Sequence, residues 1–143
     1  MDFGILLGRA YQGFVADLHA HMAERGHRML GASYGYVMRA LDEKALTASQ
    51  LGERLGITAQ GAAKVVDEMV RYGYVERRPD PGDKRAKLLH LSARGVDLLE
   101  TVRAFHAAYE NDLIARMGAD QVATVRAVLG EIASTDQPGF RPL

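Results

Sequence analysis

The sequence predicts a mainly α chain of the α+β class, in which helices surround one short two-stranded ribbon. Three observations lead there. Apolar residues recur every three or four positions over long stretches at both ends, as one face of a helix requires. Near the middle, two short helical patterns are joined by a single glycine turn at Gly56. Directly after them come two strand-like runs, Tyr74–Arg78 and Lys87–Leu91, separated by the turn residues Pro79-Asp80-Pro81-Gly82-Asp83.

Composition sets the outer limits. The chain has 143 residues, 48% of them hydrophobic and 25% charged, as expected of one soluble structural domain with a sizeable core. No run approaches the roughly 18 apolar residues of a membrane span. Met1-Asp2-Phe3 lacks the basic start of a signal peptide, so a cytoplasmic protein without a membrane partner is expected. Cysteine is absent, which removes disulfides, thiolate metal sites and thiol redox sensing.

The first helix is expected over Phe3 to Glu24, where Phe3, Leu7, Ala10, Phe14, Leu18 and Met22 form one apolar stripe. A short helix follows between Gly26 and Leu41, carrying Tyr34, Gly35, Tyr36, Val37 and Met38. Thr47 and Gln50 have capping-box spacing, each side chain satisfying the other residue's backbone donor, and Leu51 and Leu55 then share a face. Thr58 is placed to cap the next helix, with Ala62, Val66 and Met69 inward and Gly73 as its stop. In the ribbon, Pro79 and Pro81 are expected to end strand pairing and stiffen the tip, because proline lacks the N–H and fixes φ. Ser92 caps a long helix through Leu99, Val102, Phe105, Tyr109, Leu113 and Met117. Gly118 breaks it, and Asp120 opens a last helix with Val122, Val125, Leu129 and Ile132 on one face. Ser134 to Leu143, with Pro138, Gly139 and Pro142, reads as a tail. Apolar stripes left over at both ends of the chain suggest a two-fold homodimer built from both termini.

A helix-turn-helix followed by a charged hairpin is a winged helix, and here the segment resembles the DNA-binding core of the MarR family (multiple-antibiotic-resistance regulators). The resemblance rests on LTASQLGERLGIT, on V-x-E-M-V-x-x-G-Y-V-E-R, on the wing signature Asp83-Lys84-Arg85 and on L-x-L-S-A-R-G, in that order. It covers about Leu41 to Leu99 and implies a dimeric, DNA-binding transcriptional regulator with interlocked termini. It divides the chain into a helical dimerisation region, 1–26 and 92–143, and a winged helix-turn-helix core, 27–91.

The net charge of zero hides an asymmetry. From Lys44 to Arg94 there are ten Lys and Arg against six Asp and Glu, and the remainder is correspondingly acidic. Phosphate binding needs local positive charge, which falls on the predicted core. On the second helix of the motif, Gln60 has the donor–acceptor pair that matches adenine in the major groove. Gly61 and Ala63 are small enough for close approach, and Lys64 reaches phosphate or a guanine edge. Thr47 and Thr58, as caps, sit where helix N-termini can offer N–H groups to phosphate. In the wing, Arg85 suits a narrow minor groove, Lys84 adds a phosphate-reaching charge, and Asp83 is expected to hold the arginine or the wing in place. Arg77, Arg78 and Lys87 are candidate backbone contacts.

By the same resemblance, an effector site for a small aromatic or lipophilic molecule is expected between the dimer helices and the core, with Phe14, His27, Tyr34, Tyr36 and Met38 as candidates. Such a ligand would favour a dimer with wrongly spaced recognition helices and so release a repressor from a pseudo-palindromic operator. No catalytic motif is present: there is no phosphate-binding glycine loop, metalloprotease motif or nucleophile elbow. No cofactor or metal is expected, since His19, His21, His27, His90 and His106 are scattered. Two other readings compete, a small-molecule- or partner-binding protein of this fold without operator binding, and a metal-responsive regulator.

Overall fold

Caps and glycines set most of the helix ends. The computed structural model describes residues 1–28 and 30–134, so the tail expected beyond Ser134 lies outside the described residues. Helix α1 spans Phe3–Glu24, α2 Tyr34–Glu43, α3 Ala48–Leu55, α4 Ala59–Arg71, α5 Ala93–Met117 and α6 Ala119–Ser134. The Thr47 hydroxyl accepts from Gln50 N–H at 3.2 Å, and the Gln50 side chain accepts from Thr47 N–H at 2.9 Å. Gly56 ends α3 at φ 66°, a left-handed turn that L side chains adopt only at a cost. Thr58 caps α4 through the N–H of Gly61, and Ser92 caps α5 through the N–H of Gly95, each at 3.0 Å.

The ribbon is longer than its prolines suggested. Strands β1 (Val75–Asp80) and β2 (Asp83–Leu91) pair antiparallel, and Pro79 and Asp80 belong to β1 instead of ending it. Pro79 is tolerated because a two-stranded ribbon leaves outward-facing N–H groups without partners anyway. The turn is therefore only Pro81-Gly82, with the N–H of Gly82 donating to Asp80 Oδ1 at 2.9 Å. Leu89 N–H also donates to the Leu46 carbonyl at 2.8 Å, which ties β2 to the entrance of α3. The last helix begins at Ala119, one residue earlier than expected.

One continuous core holds these elements. Leu51 of α3, Val66 and Met69 of α4, Tyr74 just before the ribbon, Val75 and Leu89 within it, Leu98, Leu99 and Val102 of α5 and Met22 of α1 are all buried in it. Full burial of a side chain of this size contributes about 1.5–3 kcal/mol. The α1 stripe divides along its length. Met22 is buried and Leu18 and Phe14 are half-buried, while Phe3, Ile5, Leu6 and Tyr11 are each more than half exposed. Val125, Val128 and Leu129 of α6 are exposed as well.

Candidate nucleic-acid interface

Helix α4 presents a face that its core contacts leave open. Ala62, Val66 and Met69 anchor it inward, and Thr58, Gln60, Gly61, Ala63, Lys64, Asp67 and Arg71 line one open surface on the other side. Gln60, Lys64 and Arg71 are exposed, while Gly61 and Ala63 are half-buried and keep the surface low. Arg71 is a cation of this face that sequence reasoning passed over, because it falls in the last turn and reads as a C-terminal charge. Its guanidinium lies 5.6 Å from the centre of the Tyr72 ring.

The wing stands beside this face. Pairing jumps from Pro79↔Lys87 to Asp80↔Asp83, so residues 84–86 of β2 have no partner in β1. Such an irregularity re-aims the side chains it carries, and here they are Lys84, Arg85 and Ala86. Asp83 Oδ1 accepts the N–H of Arg85 at 2.9 Å, which fixes the backbone of the bulge. Lys84, Arg85 and Lys87 are exposed. Arg78 pairs with Glu76 on its own strand at 2.9 Å. Arg77 pairs with Asp67, joining β1 to α4 across the surface. Exposed pairs of this kind contribute about 0–1 kcal/mol, so they orient side chains more than they stabilise.

A cavity of about 190 Å³ lies behind the core, between α1, α2 and α5. Val15, Leu18, Leu98 and Val102 give it apolar walls, Tyr34 and Met38 line it from α2, and Arg39, His19 and His106 are its polar edge. The other three residues expected at an effector site lie elsewhere. Phe14 packs edge-on to Tyr109, with ring centres 4.9 Å apart, in an aromatic cluster with Phe105. Tyr36 is two positions from Tyr34 on a helix, which turns it to the exposed side. His27 is buried in a bond network: Asp97 accepts from its Nε2 at 3.0 Å, and its Nδ1 is 3.0 Å from the Tyr74 hydroxyl. Arg94 covers Tyr74 from the far side and donates to that hydroxyl at 3.3 Å.

Two groups at the cavity have shifted protonation. Burial lowers the pKa of His106 from its ordinary 6.5, and the charge of Arg39 pushes the same way. Burial raises the Tyr34 phenol far above its ordinary value, followed by its hydrogen bond to Glu68 and the charge of that carboxylate. Glu68 is visible in sequence only as the acidic position of V-x-E-M-V, with nothing there to mark Tyr34 as its partner. Among the described residues, no group of His, Asp and Glu is placed to hold a metal ion.

A helix-turn-helix whose second helix is open to solvent, continued into a basic hairpin and framed by long terminal helices, defines a winged helix-turn-helix protein. The chain belongs to the MarR family. That family's sequence profile matches residues 30–86. PetP of Rhodobacter capsulatus, an HTH-type transcriptional regulator, is 33% identical over 129 residues, covering 84% of this chain and 71% of that protein. The uncharacterised HTH-type regulator YkoM of Bacillus subtilis is 34% identical over 58 residues, 41% of this chain, and the match spans only 38% of that relative's length. Among solved structures, a mutant MarR from E. coli complexed with operator DNA superposes with a TM-score of 0.68 at 24% identity, over 90% of this chain and 91% of that one. YusO of Bacillus subtilis gives a TM-score of 0.70 at 18% identity, with 94% of each chain covered. At these identities the solved structures speak to the fold alone.

Proposed function

We propose that the chain is a homodimeric, sequence-specific DNA-binding transcriptional regulator, a repressor released by a small aromatic or lipophilic effector. The observation that carries the reading is the joint placement of α4 and the wing. An open helix face bearing Gln60, Gly61, Ala63 and Lys64 is joined through Asp67 and Arg77 to the strand of a bulged hairpin that bears Lys84 and Arg85. The helix suits the major groove, and the wing arginine suits the adjacent minor groove. Thr47 and Thr58 hold the helix N-termini at which phosphate is favoured, and Arg78 and Lys87 supply further charge along the strands.

The dimer uses the terminal regions 1–26 and 92–143, and the core 27–91 carries the DNA contacts. Supporting this, Phe3, Ile5 and Leu6 of α1 and Val125 and Val128 of α6 leave apolar surface exposed that a second copy would cover. The effector occupies the cavity, with Tyr34 and Met38 as walls and Arg39 at its polar edge. The protein acts in the cytoplasm and is no enzyme; no helix among the described residues is long and apolar enough to cross a membrane.

The test is selection of bound sequences from random duplex DNA by the purified chain, at low and physiological salt. An enriched inverted repeat with half-sites about one helical turn apart supports the reading. Salt-sensitive binding without enrichment reduces it to phosphate contact. Absence of binding favours the partner-binding alternative.

A further inference from the structure

Tyr34 belongs to two places at once. Its ring is part of the cavity wall and is 3% exposed. Its hydroxyl donates to Glu68 Oε1, on α4. Among the described residues that is the one side-chain hydrogen bond Glu68 makes, and Glu68 is half-buried.

The ring itself is confined. A Cβ added to Gly31 would lie 2.6 Å from its Cε1, so the chain passes against one side with only a hydrogen to spare. Tyr74 meets it edge-on, with ring centres 6.1 Å apart and 65° between planes. A ring held at Gly31 and at Tyr74 has little room to yield when something presses on it from the cavity. A displacement along the ring axis reaches the hydroxyl and, through it, Glu68. Helix α4, for its part, packs chiefly on α3 and β1, through apolar side chains such as Val66 and Met69. Those contacts are non-directional and hold the helix against its neighbours without specifying a donor–acceptor geometry. A hydrogen bond is directional and weakens as its donor and acceptor turn out of line. Lys64, on the open face, precedes Glu68 by one helical turn, so a rotation registered at Glu68 is carried to the face proposed to meet DNA.

We propose that Tyr34 and Glu68 are the positioning pair through which the contents of the cavity set the rotation of α4. The inference rests on the reading of α4 as the recognition helix and of the cavity as the effector site. It adds the residues that join them.

The test uses the full-length chain free of DNA and ligand, and reads amide hydrogen exchange by mass spectrometry. Tyr34→Phe keeps the cavity wall and removes the hydroxyl. Exchange over residues 59–71 should quicken by about fivefold to tenfold, while α5 keeps its rates. Glu68→Ala should do the same, with no further change in the double variant, and Glu68→Gln, whose amide oxygen still accepts from the phenol, should stay near the parent. Occupancy is mimicked by Val15→Phe, which adds volume to the cavity from α1. That substitution should alter exchange of α4 in the parent and leave it unaltered in the Tyr34→Phe background. Unchanged α4 exchange in Tyr34→Phe, or an equal response to Val15→Phe in both backgrounds, overturns the proposal. Because no DNA is present, a failure to bind operator in a separate experiment would remove the regulator reading without touching this result.

Discussion

Gly95→Ala puts the packing between α5 and the wing to a numerical test. Gly95 is buried in the first turn of α5, and a Cβ there would lie 2.1 Å from the Tyr74 carbonyl oxygen and 3.1 Å from its carbon. A tolerable carbon–oxygen contact is about 3.3 Å, so the helix end must retreat by about 1.2 Å. That retreat stretches the bond from Ser92 N–H to the same carbonyl, now 3.0 Å, beyond hydrogen-bonding range. It also loosens the Ser92 hydroxyl from the Gly73 carbonyl. Overpacking of this kind costs about 1–3 kcal/mol and each lost bond about 1 kcal/mol. Alanine returns about 1 kcal/mol in helix propensity. The net is a loss of about 2 kcal/mol, which for a chain of this length lowers Tm by roughly 6 °C. Thermal unfolding followed by circular dichroism, at one fixed protein concentration, measures it. Propensity alone would raise Tm, so an unchanged or higher Tm refutes the close approach.

Three further outcomes follow from the site. Gln60→Ala should relax base preference at one position per half-site, costing about 1–3 kcal/mol against the preferred base; an unchanged preference profile after selection removes Gln60 as a reader. His106 has a folded-state pKa below its ordinary 6.5. Above that pH both folded and unfolded chains carry the neutral ring, and as pH falls the unfolded chain takes the proton first. Its contribution to stability is therefore complete above about pH 6.5 and declines as pH falls through the folded-state pKa, and His106→Gln should flatten that part of the stability profile; an NMR titration placing the His106 midpoint at or above 6.5 would contradict it. Light scattering should give twice the chain mass for the parent, and Phe3→Glu together with Val125→Glu should shift it toward the monomer; a parent that is monomeric at all concentrations sinks the dimer.

What sequence could reveal was governed by local chemistry. The boundaries of α3, α4 and α5 were legible because caps (Thr47, Thr58, Ser92) and glycines (Gly56, Gly73, Gly118) act within a few residues of themselves, and α1 was legible from the length of its apolar stripe. Sequence makes the ribbon too short because proline at position 79 marks a strand end, a rule that weakens where a strand has only one neighbour. The three-residue bulge that carries Lys84 and Arg85 leaves no mark in composition. Long-range meetings were the least legible. Tyr34 with Glu68 and His27 with Asp97 join residues far apart in sequence, so no periodicity announces them. Gly95 is visible in sequence only as the last residue of L-x-L-S-A-R-G, and the reason for a glycine there is the Tyr74 carbonyl beside it.

The most direct measurement of the central claim is a hydroxyl-radical footprint on the selected operator, for the parent and for Arg85→Ala, with affinity followed against salt. The account predicts a two-fold symmetric pattern whose outer, minor-groove protections vanish in Arg85→Ala while the central ones remain. The salt slope should flatten as well, because each Arg85 withdrawn from the groove removes one positive charge from the interface. Outer protections that persist in the variant, at unchanged affinity and slope, would contradict the placement of α4 and the wing on DNA.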